Sequence, residues 1–161
     1  MSESARLARV DDLDELEVLS AEADAHLRDL RGGELWALTA GRQPPVRDSL
    51  AAAIEDDAQR CVVGCIDDAV VGFGVVRRAP LADGRVIGVV DELFVTRGAR
   101  EVGVGEAIMD ELVAWCVEQG CAGIDAVAMP GDRATKNFFE TFGLTARAIL
   151  VHRRLEGGGA G

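Results

Sequence analysis

At 161 residues, with 48% hydrophobic and 28% charged side chains, the chain has the length and balance of one folded domain, which excludes a large multidomain or disordered protein. Its formal charge of −11, from 28 acidic and 17 basic residues, repels phosphate backbones, so no nucleic acid is expected as a partner. No apolar run reaches the roughly 18–20 residues that cross a bilayer, and the acidic start MSESARLARVDDLDEL carries no signal-type apolar segment. The expectation is a cytoplasmic protein with no membrane partner.

Ser4 to Val10 reads as a strand, and Asp11 or Asp12 then caps a helix with Leu13, Leu16, Leu19, Ala23 and Leu27 at helical spacing. Arg31 to Pro45 carries three glycines and two prolines and reads as a long irregular loop of the kind that covers sites. A second helix follows from Val46 to about Asp57, burying Leu50, Ala53 and Ile54. Cys61 to Ile66 and Val70 to Val76 form a hairpin about Asp67 and Asp68. After a turn at Asp83 and Gly84 comes a strand over Val86 to Val95, then a helix burying Ala107, Ile108, Leu112, Trp115 and Cys116 and ended by Gly120. Gly123 to Met129 reads as a strand parallel to Val86–Val95 through a right-handed crossover. Arg133 to Phe142 is a last helix and Thr145 to Leu155 a last strand. Residues 1–155 thus form one domain, and the Gly-rich 156–161 a flexible tail.

Cys61, Cys65, Cys116 and Cys121 are expected as free thiols in a reducing compartment. No metal is expected, because the cysteines lack zinc-type spacing and His26 and His152 lie far apart. His26 reads as a surface residue on the polar side of its helix, and Trp36 as a loop anchor or a lining residue. The first 60 residues hold 14 acidic against 7 basic side chains, either solvated helix faces or a preference for a cationic ligand.

The most informative stretch joins the strand ending at Val95 to the next helix through Gly98, Gly103 and Gly105. Glycine lets backbone approach a ligand, and the first N–H groups of a helix have no internal partner and sit at the positive end of its dipole. Together they make a cradle for phosphate. A dinucleotide fingerprint would need glycine or alanine where Ile108 stands, and no P-loop lysine follows.

Arg100-Glu101-Val102-Gly103-Val104-Gly105, after DELFV and before an amphipathic helix, resembles the R/Q-x-x-G-x-G/A signature of the GCN5-related N-acetyltransferases (GNAT). The order of elements agrees, and DRATKNFFETFGL is similar to that family's N-x-x-A-x-x-F-Y-x-x-x-G-F block. The resemblance implies an α/β fold with a mixed sheet, antiparallel N-terminal strands and a central parallel βαβ pair flanked by helices. It implies acetyl-CoA as acyl donor, held between strands that splay at Phe94–Val95 and Ala126–Ala128. Main-chain groups at Phe94 and Val95 would hold the pantetheine arm, and Arg100, Val102, Gly103, Val104 and Gly105 the pyrophosphate. Asp132 stands where the family has a cofactor-touching asparagine, and Phe139 where it has the tyrosine acid. A homodimer is implied by the same resemblance.

The departures are chemical. Glu101 and Glu106 put negative charge beside the cradle, but a screened charge at about 8 Å costs only about 0.5 kcal/mol against roughly 1.5–3 kcal/mol for each charge-assisted hydrogen bond. Phe139 packs but donates no proton, and the chain has no tyrosine; a CoA thiolate remains a fair leaving group. A lysine-like amine is only about one part in a thousand neutral near pH 7, a deficit of about 4 kcal/mol that a carboxylate base helps to offset. Asp91 and Glu92 are the candidate catalytic bases, or else ordinary strand-end carboxylates. Strand alternation puts Asp91 on the side of Leu93 and Val95 and Glu92 on the other, unless a bulge intervenes. The expected activity is acetyl transfer to the primary amine of a cationic small molecule or peptide, in a ternary complex. The alternative is an acyl-CoA-binding sensor without turnover.

Overall fold

The computed structural model describes residues 2–100 and 102–157. In chain order these form β1 (Glu3–Leu7), a 3-10 turn (Val10–Asp12), α1 (Leu13–Asp29), α2 (Gly33–Thr39), α3 (Val46–Glu55), β2 (Gln59–Ile66) and β3 (Ala69–Pro80). They continue with β4 (Val86–Val95), a second 3-10 turn (Arg97–Ala99), α4 (Val104–Glu118), β5 (Ile124–Ala126) and α5 (Arg133–Thr141). The strands lie side by side in the order β1-β2-β3-β4-β5, antiparallel except for the parallel pair β4–β5. This is the α/β mixed sheet that the sequence led us to expect.

Period-2 alternation along β2 and β3 builds two cores, one on each face. Val62 and Val76 meet Ile108, Met109, Leu112 and Trp115 of α4. Their neighbours Val63 and Val75 meet Leu13, Leu16 and Leu19 of α1 and Leu50 of α3. The α4 face is kept low by glycine: a Cβ at Gly64 would lie 2.5 Å from a Val104 methyl, and one at Gly74 2.7 Å from Ile108. The close fit anchors the first turn of α4 against the sheet, which fixes where its N-terminus can point.

The N-terminal turn is held by a buried carboxylate rather than by the cap expected of Asp11 or Asp12. Asp12 accepts from both Nη groups of Arg6, at 2.8 and 2.9 Å, and from the Arg9 amide at 2.8 Å. These donors, the Arg6 pair foremost, hold the Asp12 carboxyl below its ordinary value. Because Asp12 takes the Arg9 amide, β1 stops at Leu7, short of the expected Val10.

Three further expectations change. The Arg31–Pro45 stretch is not one loop: α2 occupies its middle, with Gly32 in the left-handed region (φ 77°) at its N-cap and Gly41 beyond its end. Those glycines punctuate a helix instead of breaking one. The parallel strand is three residues long, not Gly123 to Met129. Thr145 to Leu155 forms no strand and is exposed throughout. A β-prone sequence becomes a strand through a ladder partner, and here the segment meets β5 only through side chains, with Arg147 donating to Asp125. The tail expected over 156–161 lies mostly outside the described residues.

Candidate functional site

Two structural events on β4 create the site. The first is a bulge. Val76 pairs with Val90 and Val75 with Glu92, so Asp91 is an extra residue in β4 with no partner in β3. A bulge of this kind breaks alternation and puts two successive side chains on one face. Val90, Leu93 and Val95 accordingly pack toward α4, while Phe94 packs toward α1 and α3. Asp91 bonds Arg77 Nε at 2.9 Å, and Glu92 bonds Arg42 Nε at 2.9 Å. Arg77 lies two residues beyond Val75 on the α1–α3 face, so the two carboxylates share that face. The straight-strand expectation, with Asp91 beside Leu93 and Val95, is thereby corrected.

The second event is the parting of the sheet. β4 pairs with β5 only from Gly88 to Val90, opposite Ile124 to Ala126. Beyond Val90, where the bulge begins, that side of β4 has no strand against it among the described residues. Thr96 donates its amide to Val71 of β3, so the Val95 carbonyl, trans across the same peptide, points to the opened side. There it accepts Arg100 Nε at 2.9 Å, and the Arg100 guanidinium lies 5.3 Å over the Phe94 ring.

At the end of the opening stands the N-terminus of α4. Its N-cap is Gly103 at φ 83°, a conformation costly for any residue with a Cβ, and no side chain caps it. Val104 is fully buried and anchors the turn, whereas Val102, Gly103 and Gly105 remain partly exposed. A Cβ at Gly105 would come 3.3 Å from Phe138, so α5 walls the turn on one side. The Glu3 side chain lies on another, 3.4 Å from where a Gly103 Cβ would be. Uncapped, partly exposed amides beside a glycine turn fit a diphosphate, with Glu3 as a nearby acid that the sequence reading missed. Glu106 is exposed; Glu101 lies outside the described residues.

The titration of the site follows its packing. Although Asp91 stays exposed, partial desolvation of its carboxyl between β3 and β4 pushes it above its ordinary value, against the pull of Arg77. Burial likewise pushes the Cys61 and Cys116 thiols up to about 12, which keeps both protonated and poor as nucleophiles near neutrality. All four cysteines are free.

The chain matches the family model described as the Acetyltransferase (GNAT) family over residues 24–144. It belongs to the GNAT acetyltransferases. Solved structures share the fold of this GNAT chain. A ribosomal-protein-alanine N-acetyltransferase from Brucella melitensis aligns at TM-score 0.70 and 18% identity, over 96% of this chain and all of that one. AAC(6')-Iy, in complex with a CoA bisubstrate analogue, aligns at 0.72 and 14%, over 96% and 100%. A Trypanosoma brucei acetyltransferase aligns at 0.67 and 18% over the same shares. A comparison with curated proteins finds no match.

Within the GNAT frame, Asp91, Glu92, Phe94 and Val95 lie along β4 where it parts from β5, and Gly103 caps α4 at the end of that opening. Two further residues have structural roles of their own. Asp132 is the N-cap of α5, its carboxylate accepting the Thr135 amide at 3.3 Å. Phe139 is a core ring, 8% exposed, edge-on to Phe138 and clustered with Val95 and Val90. Sequence reasoning also missed Arg42, which reaches from the α2–α3 connection to Glu92 and Ser49 and is only 12% exposed. No local signal could have found it, since it bonds a residue 50 positions away. His26, expected at the surface, lies 6.2 Å from the Phe94 ring.

Proposed function

We propose that this protein transfers the acetyl group of acetyl-CoA to a primary amine by direct attack in a ternary complex, working as a homodimer. The observation that carries the chemistry is the bulge at Asp91, which turns two carboxylates to one face where β4 leaves β5. The α4 N-terminal amides, from Val104 onward, would hold the diphosphate. Of the expected Phe94 and Val95, the Val95 main chain would line the pantetheine arm together with Leu93, since the Phe94 amide and carbonyl turn toward β3 with those of Thr96. Bound acetyl-CoA supplies an activated thioester. Asp91, whose carboxyl holds its proton more tightly than usual, then removes a proton from the incoming ammonium. Glu92, clamped by Arg42, is the second candidate base and positions the acceptor. With the Cys61 and Cys116 thiols protonated and buried, no acyl-enzyme is needed.

The acceptor is a cationic amine of a small molecule or peptide. A groove of about 330 Å³ beside Thr96, lined by Asp14, Glu15 and Glu22 with Val18, Leu19 and Val70, supports that choice. Initial-rate kinetics with a panel of polyamines, aminoglycosides and basic peptides, following release of free CoA thiol, test the reading. Intersecting double-reciprocal plots are expected, with no protein acetylation when acetyl-CoA is added alone. A parallel pattern or an acetylated thiol overturns direct attack.

The burial of Phe139 at the tyrosine position favours a second reading, an acyl-CoA sensor. A sensor binds acetyl-CoA in the same titration and releases no thiol with any amine.

A further inference from the structure

The bulge turns two carboxylates to one face, but each meets its guanidinium differently. Glu92 closes a row across three strands: it lies opposite Val75 of β3, which lies opposite Cys61 of β2. Both row-mates are buried under α1 and α3, and the Glu92 side chain itself is only 19% exposed. A carboxylate at the edge of such a core needs donors. Arg42 supplies two of them to Oε1, from Nε at 2.9 Å and from Nη2, while its Nη1 donates to Ser49 Oγ of α3. That guanidinium is thus held at three nitrogens, and its side chain is 12% exposed. Arg77 meets Asp91 through Nε alone, with side chains 46% and 34% exposed. Desolvation raises the Asp91 carboxyl, and the charges of Arg77 and, less strongly, Arg42 pull against it, so the Arg42 charge reaches both acids.

We propose that Arg42 is a positioning residue that assigns the proton transfer to Asp91: by occupying Glu92 it leaves Asp91 as the acid of the pair free to take a proton from the acceptor's ammonium. This rests on the acetyl-transfer reading above and deepens it. Two N–H donors on one oxygen engage the lone pairs that an incoming proton would need. Freeing them would strand a sheltered guanidinium, which is costly. Releasing Asp91 from Arg77 costs little by comparison, because an exposed pair exchanges its partner for water. The proton then passes from the ammonium nitrogen to an Asp91 oxygen and leaves the amine its lone pair for attack.

Measuring kcat by thiol release at saturating acetyl-CoA, with Asp91→Asn placed in several Arg42 backgrounds, tests it. Asp91→Asn is expected to cost about 100-fold with Arg42 present and no more than about threefold in an Arg42→Met background, where Glu92 is free to take over the proton. Arg42→Lys keeps a charged donor against Glu92 and is expected to keep that cost near 100-fold, a rescue by like charge. An Arg42 that merely holds the fold together would give independent losses in every background. Should Arg42→Met lose its helical circular dichroism, Arg42→Gln, which retains an N–H donor, carries the same comparison with an expected cost of about tenfold. A cost near 100-fold in the Met and Gln backgrounds overturns the proposal. So does a Lys variant that behaves like the Met variant, or an Asp91→Asn that costs under about tenfold with Arg42 present. Independent losses in an active enzyme end this inference alone, whereas a wild type that binds acetyl-CoA and releases no thiol with any amine ends the acetyl-transfer reading and this inference with it.

Discussion

The two flanks of β4 are built differently. Toward β3 it is paired from Val86 to Val95, interrupted only where Asp91 bulges out. Toward β5 it is paired for three residues and then released. The long ladder holds the strand rigid, so the bulge aims its carboxylates with precision. The short ladder leaves backbone groups unclaimed by any strand, and a ligand with donors and acceptors of its own can use them. The opening is therefore a property of the sheet and not of a mobile loop, and the α4 amides beyond it are positioned by the fit of Val104 and Ile108 over Gly64 and Gly74.

Each side of this contrast can be broken separately. The largest effect is expected at the helix end: Gly103→Glu combines left-handed strain of about 1–2 kcal/mol with an acid beside Glu3. It should lower acetyl-CoA affinity about 100-fold or more in calorimetric titration while circular dichroism is preserved; Gly103→Ala should lose less. Undiminished affinity in the Glu variant would falsify the cradle.

On the bulge side, Asp91→Asn should reduce turnover about 100-fold near pH 7, the usual scale of general-base catalysis, and much less above pH 9, where more of the amine is already neutral. Stability should change with pH as well, since partial desolvation raises the Asp91 carboxyl above its ordinary value. Its proton is bound more tightly folded than unfolded, so its favourable contribution to stability is present at low pH and fades as pH rises through the raised value. The Asn variant should therefore gain stability relative to wild type over that same rise, as urea melts at several pH values will register. A loss of turnover equal at every pH would argue for a structural Asp91.

Next in size, Glu92→Gln strands the mostly buried Arg42 and is expected to cost about 1–3 kcal/mol in urea melts. Replacing the pair by apolar groups, Arg42→Met with Glu92→Leu, should restore much of that stability without restoring turnover. Recovery of turnover in the double variant would assign the pair a purely structural role. The smallest effect belongs to the β5 side. Asp132→Ala should remove a helix cap worth roughly 0.5–2 kcal/mol, whereas Asp132→Asn keeps it. A raised KM for acetyl-CoA in the Asn variant would show that Asp132 also touches the donor.

Local pattern carried much of this molecule. The β4 limits, the Gly120 stop after α4, the hairpin turn at Asp67 and the period-2 cores follow from propensity, glycine placement and apolar spacing, all of which act within a few residues. The glycine turn at 100–105 was legible for the same reason, since a positive φ and a helix start are both written in adjacent residues. What pattern could not supply was every feature that needs a distant partner. The face shared by Asp91 and Glu92 is set by a register shift against β3, and the Arg42 clamp joins residues remote in sequence. Phe139 lies in the core and Phe138 against Gly105, contacts that join α5 to residues more than thirty positions earlier. The 145–155 segment has the composition of a strand without the ladder that would make it one.

The amino-acid order by itself thus determined most of the elements, α2 and the unpaired 145–155 segment excepted, together with the uncapped glycine start of α4, because these depend on neighbours along the chain. Only the tertiary structure decided which way the two acids face, what guanidinium each one meets and where the sheet parts. Those outcomes depend on how strands align across space, and one extra residue in a ladder is enough to reverse the side on which a carboxylate appears.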